Sequence, residues 1–190
     1  MHRHFLLHKP HGYLSQFIYQ KKRAKKLLGE LYDFPEGTMA IGRLDEDSEG
    51  LLLLTTDGQE SERVRSKTVE KEYYAQVDGL IDSTAIAQLE AGVEIGFKGI
   101  RYTTQPCQVR LVTVLPPCIG EGRRIRDARH GPTCWISLTL TEGKFRQVRK
   151  MTAAVGFPTL RLVRVRVGGI ALNLSAGSVQ EVPHFEQVGL

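Results

Sequence analysis

Apolar and polar positions along the chain fall into short runs that predict more strands than helices. Leu51 to Leu54 form a continuous apolar run, bounded by Gly50 and by Thr55-Thr56-Asp57-Gly58, which predicts a strand buried on both faces. Asp57-Gly58 closes it with turn chemistry. Phe5-Leu6-Leu7-His8-Lys9 predicts a first strand, stopped by Pro10. Residues 15 to 38 form a polar connection with a turn at Phe34-Pro35-Glu36-Gly37. Gln59 to Lys67 predicts a short polar helix, and residues 70 to 79 alternate as a strand running into a turn. Ser83 is the expected cap of a helix stopped by Gly92. Strands are expected near 101 to 104 and 108 to 115, from Trp135 to Thr141, from Thr159 to Gly168, and near 170 to 174 and 179 to 182. Lys144 to Ala154 has helical spacing through Phe145, Val148, Met151 and Val155. Thr159 to Gly168 alternates valine and leucine with Arg161, Arg164 and Arg166, an amphipathic strand with a basic face apart from the break at Leu162-Val163. Residues 116 to 132 lack periodicity and read as a flexible basic loop. The sum is an α+β domain on a mixed, largely antiparallel sheet with flanking helices.

The stretch IGRLDEDSEGLLLLTTDG, residues 41 to 58, sets Asp45, Glu46, Asp47 and Glu49 directly against the leucine run. Carboxylates so close must keep water or find partners, so a loop at the mouth of a cleft suits them. Three readings compete. Asp45, Asp47, Glu49 and Gly50 occupy the first, third, fifth and sixth places of a calcium loop. The twelfth place, however, is Thr56 rather than a bidentate Glu, and Pro35 and Gly37 disfavour a long preceding helix. The second reading is a solvated acidic turn, and the third is catalytic.

Charge changes the picture further. The chain of 190 residues has net charge +5 and a pI near 9.2, which suits a polyanionic partner. Distribution says more than the total. Lys21-Lys22-Arg23-Ala-Lys25-Lys26 is one basic run, and residues 121 to 166 hold eleven Lys or Arg against three acids, interleaved with Trp135 and Phe145. That is the footprint of nucleic-acid binding, with an ordinary charged surface as the alternative. Three scattered cysteines, at 107, 118 and 134, argue for a reducing compartment and against a disulfide frame or zinc site. No run is long enough to span a bilayer, and the N-terminal apolar stretch is too short for a signal peptide, so a cytoplasmic protein is expected. His2 and His4 would share a strand face, a weak metal pattern with no carboxylate nearby.

Two blocks carry a family resemblance. Gly42-Arg43-Leu44-Asp45-x-x-Ser48-x-Gly50-Leu-Leu-Leu-Leu-Thr55 resembles the signature of one family of RNA pseudouridine synthases, comprising type A for small ribosomal RNA and types B, E and F for large ribosomal RNA. Ser48 stands where Thr is commoner, and Thr56 where Asn is commoner. Glu142 to Met151, continuing to Arg161-Leu-Val-Arg164-Val-Arg-Val-Gly168, resembles the same family's later motif, with Phe145 at a usual Asn and Lys150 at a usual Arg. Lys9-Pro10-x-Gly12 extends the likeness toward the start, and the short length is that of the E type.

The resemblance implies the pseudouridine synthase fold with a central active-site cleft. It also implies one catalytic domain over 1–190, in two packed halves, without the small N-terminal RNA-binding domain of larger relatives. The reaction breaks a glycosidic bond, turns the base and rejoins the ribose through carbon, with no cofactor and no metal. Asp45 matches the family's essential aspartate, ionised at neutral pH from an ordinary value of about 3.9. Whether it attacks sugar or base or removes a proton is left open. Arg149 matches the guanidinium partner, and on a helix Arg146, Arg149 and Lys150 would project to one side while Val148 and Met151 face the core. Tyr73, two residues after Lys71, matches the active-site tyrosine that stacks on the uracil, with Tyr74 as rival. Arg43 and Lys71, with Arg146 and Lys150, are expected to bind substrate, as are Arg123, Arg124 and Arg126 in the basic loop. The partner implied is ribosomal RNA, large-subunit RNA in particular, bound by a monomer with no membrane involvement. A catalytically idle RNA-binding or ribosome-assembly factor of the same fold is the alternative.

Overall fold

The computed structural model describes residues 1–19, 24–65, 69–120 and 125–185. The chain divides into two compact units, Met1–Val69 with Val163–Leu190, and Glu70–Leu162. Among the described residues no helix is long and apolar enough to cross a membrane.

In the first unit β1 (His4–Lys9) lies between β11 (Val179–Val182) and β3 (Glu49–Thr55), antiparallel to both, with Leu6 opposite Gln180 and Leu53. The leucine run does form a strand buried along its whole length. Strand β2 (Met39–Ile41) pairs with the far end of β3. At its start, β3 runs parallel to β9 (Thr159–Val167) through Glu49 opposite Val163 and Gly50 opposite Arg164. That single parallel step makes the pairing mixed. Gly50 has φ +111, and a Cβ placed on it would collide with the Arg164 backbone. Only glycine permits both the conformation and the approach. Short β10 (Ile170–Ala171) folds back on β9. Helix α1 (Gly58–Arg65) follows β3, and Asp57 caps it, its Oδ1 accepting from the Gln59 amide at 2.9 Å. Phe5, Leu7, Leu28, Leu51 to Leu54, Val64 and Phe185 form the core.

In the second unit β4 (Lys71–Asp78), β8 (Thr133–Leu140) and β7 (Gln108–Val112) are antiparallel neighbours in that order, with Tyr73 opposite Leu138 and Val109 opposite Leu138 on the other side. The opening residues of β9, up to Leu162, belong to this unit and its remainder to the first. Helix α2 (Ser83–Ala91) ends at Gly92 as predicted, but its cap is Asp82, whose carboxylate accepts from the Ala85 amide at 2.8 Å. An unpredicted strand, β5 (Glu94–Phe97), pairs with β6 (Ile100–Thr103) through the two-residue turn Lys98-Gly99, both at positive φ. Helix α3 (Gln147–Ala154) buries Val148 and Met151 with Ala75, Val77, Leu89, Ile136 and Leu138. The expected basic loop contains 3-10 turns at Pro117–Ile119 and Ala128–His130.

The basic face predicted for β9 is a point of correction. Arg161 and Arg164 are buried, and their guanidiniums donate to the carbonyls of Ile119 (2.9 Å) and Leu51 (2.8 Å). Arg161 also lies over the Trp135 ring, 5.7 Å from its centroid. A planar guanidinium satisfies backbone acceptors in the interior where an unpaired charge would not survive.

Candidate active site

The acidic loop of the first unit is held at both flanks of Asp45. Leu44 is buried, and the Ser15 hydroxyl accepts from its amide (2.9 Å) and donates to its carbonyl (2.7 Å). The Asp45 carbonyl accepts from the Ser48 amide at 3.0 Å, closing a turn over residues 45 to 48. The Glu46 carbonyl takes the Gly12 amide at 2.8 Å, and both oxygens of its carboxylate accept from Lys25 at 2.8 Å. Arg43 is exposed, Asp45 half-buried and Ser48 fully covered. The loop is therefore pinned through its neighbours, with Asp45 between them.

Lys9, which sequence reasoning placed only at a strand end, is 0% exposed. Its ammonium donates to the carbonyls of Tyr13 (2.7 Å), Pro10 (3.0 Å) and Glu46 (3.5 Å). Burial lowers its pKa to about 8, against the opposing pull of the Glu49, Asp45, Asp47 and Glu46 carboxylates. An unfolded lysine keeps its proton to about 10.5, so between about 8 and 10.5 the folded state binds fewer protons and Lys9 favours folding increasingly as pH climbs. Lys9→Met lacks that gain. From roughly pH 7.5 to 9.5 the stability of wild type relative to this variant is expected to rise by about 2 kcal/mol in urea unfolding. Parallel pH curves for the two proteins would overturn the assignment.

In the second unit Tyr73 shares the face of β4 that carries Ala75 and Val77, and packs half-buried against the core they belong to. Tyr74 is on the opposite face, where its hydroxyl accepts from Arg110 at 3.2 Å. The two rival tyrosines thus have different surroundings. Lys71 opens the strand, half-buried.

The loop before α3 corrects the predicted helix. Arg146 is not helical but sits at φ 52, ψ 36, the left-handed region, so it is not on the helix face expected to carry it with Arg149 and Lys150, which lie within α3. The loop is fixed by Glu142, a buried carboxylate that accepts from the Tyr102 hydroxyl (2.5 Å), the Gln105 amide (2.8 Å) and the Gln147 side chain (2.6 Å). Gln147 in turn accepts from the Lys144 amide at 2.9 Å. The bond to Glu142 raises the Tyr102 pKa. Arg149 and Lys150 are half-buried, and the Lys150 ammonium donates to the Gly96 carbonyl at 2.7 Å. Arg126 makes a two-point ion pair with Asp78, one bond at 3.0 Å. Arg123 and Arg124, like Lys21 to Arg23, lie outside the described residues.

Glu142 and Tyr102 escaped sequence reasoning, which used Glu142 only as part of a motif. Its signal was a lone acid in an otherwise basic segment. Among the described residues no group of His, Cys, Asp or Glu is arranged to hold a metal, and His4 instead hydrogen-bonds the Thr55 hydroxyl at 2.9 Å.

The first unit thus presents a pinned carboxylate loop, and the second an arginine-bearing helix with a braced entry loop. Comparison with known proteins makes the class specific. Residues 3–154 match the family described as RNA pseudouridylate synthase. The chain is 41% identical over 173 residues to ribosomal large subunit pseudouridine synthase E of Xanthomonas axonopodis pv. citri (strain 306), covering 90% of this chain and 88% of that one. It is 38% identical over 136 residues to ribosomal large subunit pseudouridine synthase B of Yersinia pestis, covering 70% of this chain and 37% of the other. A crystal structure of a pseudouridylate synthase superposes with TM-score 0.74 at 26% identity, covering 96% of this chain and 70% of that one. An H/ACA ribonucleoprotein bound to substrate RNA shares the fold alone, with TM-score 0.55 at 17% identity over 89% of this chain and 48% of that one. The chain belongs to the RNA pseudouridylate synthase family and is an RNA pseudouridine synthase.

Proposed function

We propose that this enzyme isomerises a uridine of large-subunit ribosomal RNA to pseudouridine, with Asp45 as the catalytic carboxylate. The observation that carries the reading is the near end-to-end likeness, at 41% identity, to the type E synthase of Xanthomonas axonopodis. The reaction is redox-neutral: the N1–C1′ bond breaks, the uracil turns, and a C5–C1′ bond forms as the C5 proton leaves and N1 takes up a proton. A carboxylate can serve as nucleophile or base in such a sequence. Arg149 is its proposed partner, since a guanidinium beside a carboxylate keeps it ionised. Tyr73 is the proposed stacking partner of the uracil, which must leave its helix to react.

Arg43, Lys71, Arg146 and Lys150 are proposed to hold the flipped nucleotide and its phosphates, and Arg123, Arg124 and Arg126 the flanking RNA. Arg126 would do so in a shared role, because Asp78 already engages its guanidinium. The enzyme is proposed to act as a cytoplasmic monomer, in keeping with the lack of any disulfide at Cys107, Cys118 and Cys134.

The test is to incubate the purified protein with transcripts of both ribosomal RNAs, large and small, and map pseudouridine by chemical labelling and primer extension. One new site in the large ribosomal RNA is expected. Modification of the small ribosomal RNA only, or of neither, would overturn the proposal. Arg124→Ala is expected to weaken RNA binding and to make the slope of log affinity against log salt shallower by about 1. An unchanged slope in filter-binding titrations would remove Arg124 from the RNA contact set.

A further inference from the structure

Phe145 stands where no packing requirement explains it. It is 66% exposed, in a loop whose neighbours Leu140, Glu142, Gln147 and Val148 are all buried. A single exposed ring is ordinary, and what sets this one apart is the charge gathered around it.

Its surroundings are charged in one sense. The Lys150 ammonium lies 5.4 Å from the Phe145 centroid. The next turn of the same surface repeats the arrangement: Lys144 lies over both Tyr102 (4.9 Å) and Phe97 (5.3 Å), and Lys98 lies over Phe97 (5.4 Å). Phe97 and Tyr102 are themselves ring neighbours, their centroids 6.1 Å apart on the β5–β6 hairpin. Two contacts tie that hairpin to the loop, Lys150 to the Gly96 carbonyl and Tyr102 to Glu142. The acids here are already engaged: Glu142 is buried in its three hydrogen bonds, and Glu94 pairs with Arg101 at 3.1 Å. What faces outward is the Phe145 ring, with Lys144 and Lys150 half-buried beside it and Phe97 and Tyr102 half-buried on the hairpin.

We propose that Phe145, with Lys144 and Lys150 beside it, is a stacking platform for an unpaired nucleotide of the RNA substrate, separate from the nucleotide that reacts. An aromatic face takes up a splayed base, and the flanking ammonium groups meet the phosphates on either side of it. A protein partner would need an apolar pocket ringed by acids placed to meet both lysines, whereas any single-stranded RNA carries a base face and flanking phosphates at every nucleotide. The inference rests on the reading of an RNA substrate, and it gives this chain a means of holding the strand next to the target.

The test compares wild type with Phe145→Leu and Phe145→Trp, substitutions at an exposed position that leave the core untouched. Binding is read with a fluorescein-labelled oligouridylate of roughly ten nucleotides and with the large ribosomal RNA transcript. Phe145→Leu is expected to weaken both by roughly ten-fold and Phe145→Trp to match or exceed wild type. In turnover, KM for the transcript should rise in the Leu variant while kcat is kept. Equal affinity of the Leu variant and wild type for both RNAs would overturn the platform. So would equal losses in the Leu and Trp variants, or a loss confined to protein-bearing ribosomal particles. Failure of the wild-type enzyme to modify any rRNA would instead count against the proposed function, because the oligouridylate comparison does not depend on product formation.

Discussion

Asp45→Asn is expected to abolish pseudouridine formation, by on the order of 10³-fold or more, while RNA affinity stays within about two-fold of wild type. The amide is nearly isosteric with the carboxylate but can neither take a proton nor attack carbon at neutral pH. Loop conformation should survive the change. Its anchors include Ser15 on Leu44 and Gly12 and Lys25 on Glu46, one residue to either side of Asp45. Single-turnover assays with labelled transcript measure the first effect and filter binding the second. Turnover by the Asn variant within ten-fold of wild type would remove Asp45 from the chemistry. A wild-type protein that binds rRNA and never modifies it would point to the idle relative considered from the sequence.

Gly50→Ala should cost roughly 3 kcal/mol or more of stability. Two penalties coincide at this position. Alanine is strained at φ +111, and its methyl group would occupy space filled by the Arg164 backbone, where β3 and β9 pair. The collision is with main chain rather than a flexible side-chain tip, so relief requires the strands to part. Gly58→Ala is the control, because a Cβ there meets nothing within 4 Å and the residue begins a helix. Denaturant unfolding should separate the two variants clearly. A Gly50→Ala protein within about 1 kcal/mol of wild type would show that the close approach of the strands is not required.

Much of this architecture is written in local patterns. Leu51 to Leu54 announce a covered strand because no polar residue interrupts them, and β4 and β8 announce themselves by alternation. Strand β5 is hidden because Glu94-Ile-Gly-Phe97 is short, has a glycine inside it, and turns through Lys98-Gly99 rather than an asparagine or aspartate pair. Apolar spacing overshoots the start of α3, since it continues back through Phe145 and nothing in an arginine side chain forecasts positive φ at Arg146.

The candidate site is legible to a similar degree. The Asp45 loop and Arg149 of α3 can be found from motif spacing. What braces the interior cannot, because the acceptors of Lys9 are carbonyls, and those of Arg161 and Arg164 lie 42 and 113 residues away. Carbonyls carry no side-chain signature. Alternation along β9 does not forecast that both of its faces are covered from Arg161 to Val165.

The inward turn of Lys9, Arg161 and Arg164 has a consequence for how steeply this enzyme can respond to ionic strength. Condensed counterions leave an RNA only where a cation reaches its phosphates from outside, and these three are sealed in the interior. The count of 26 Lys and Arg therefore overstates the cations a transcript can contact. Titrations in potassium chloride should register fewer displaced ions than a tally of basic letters would suggest.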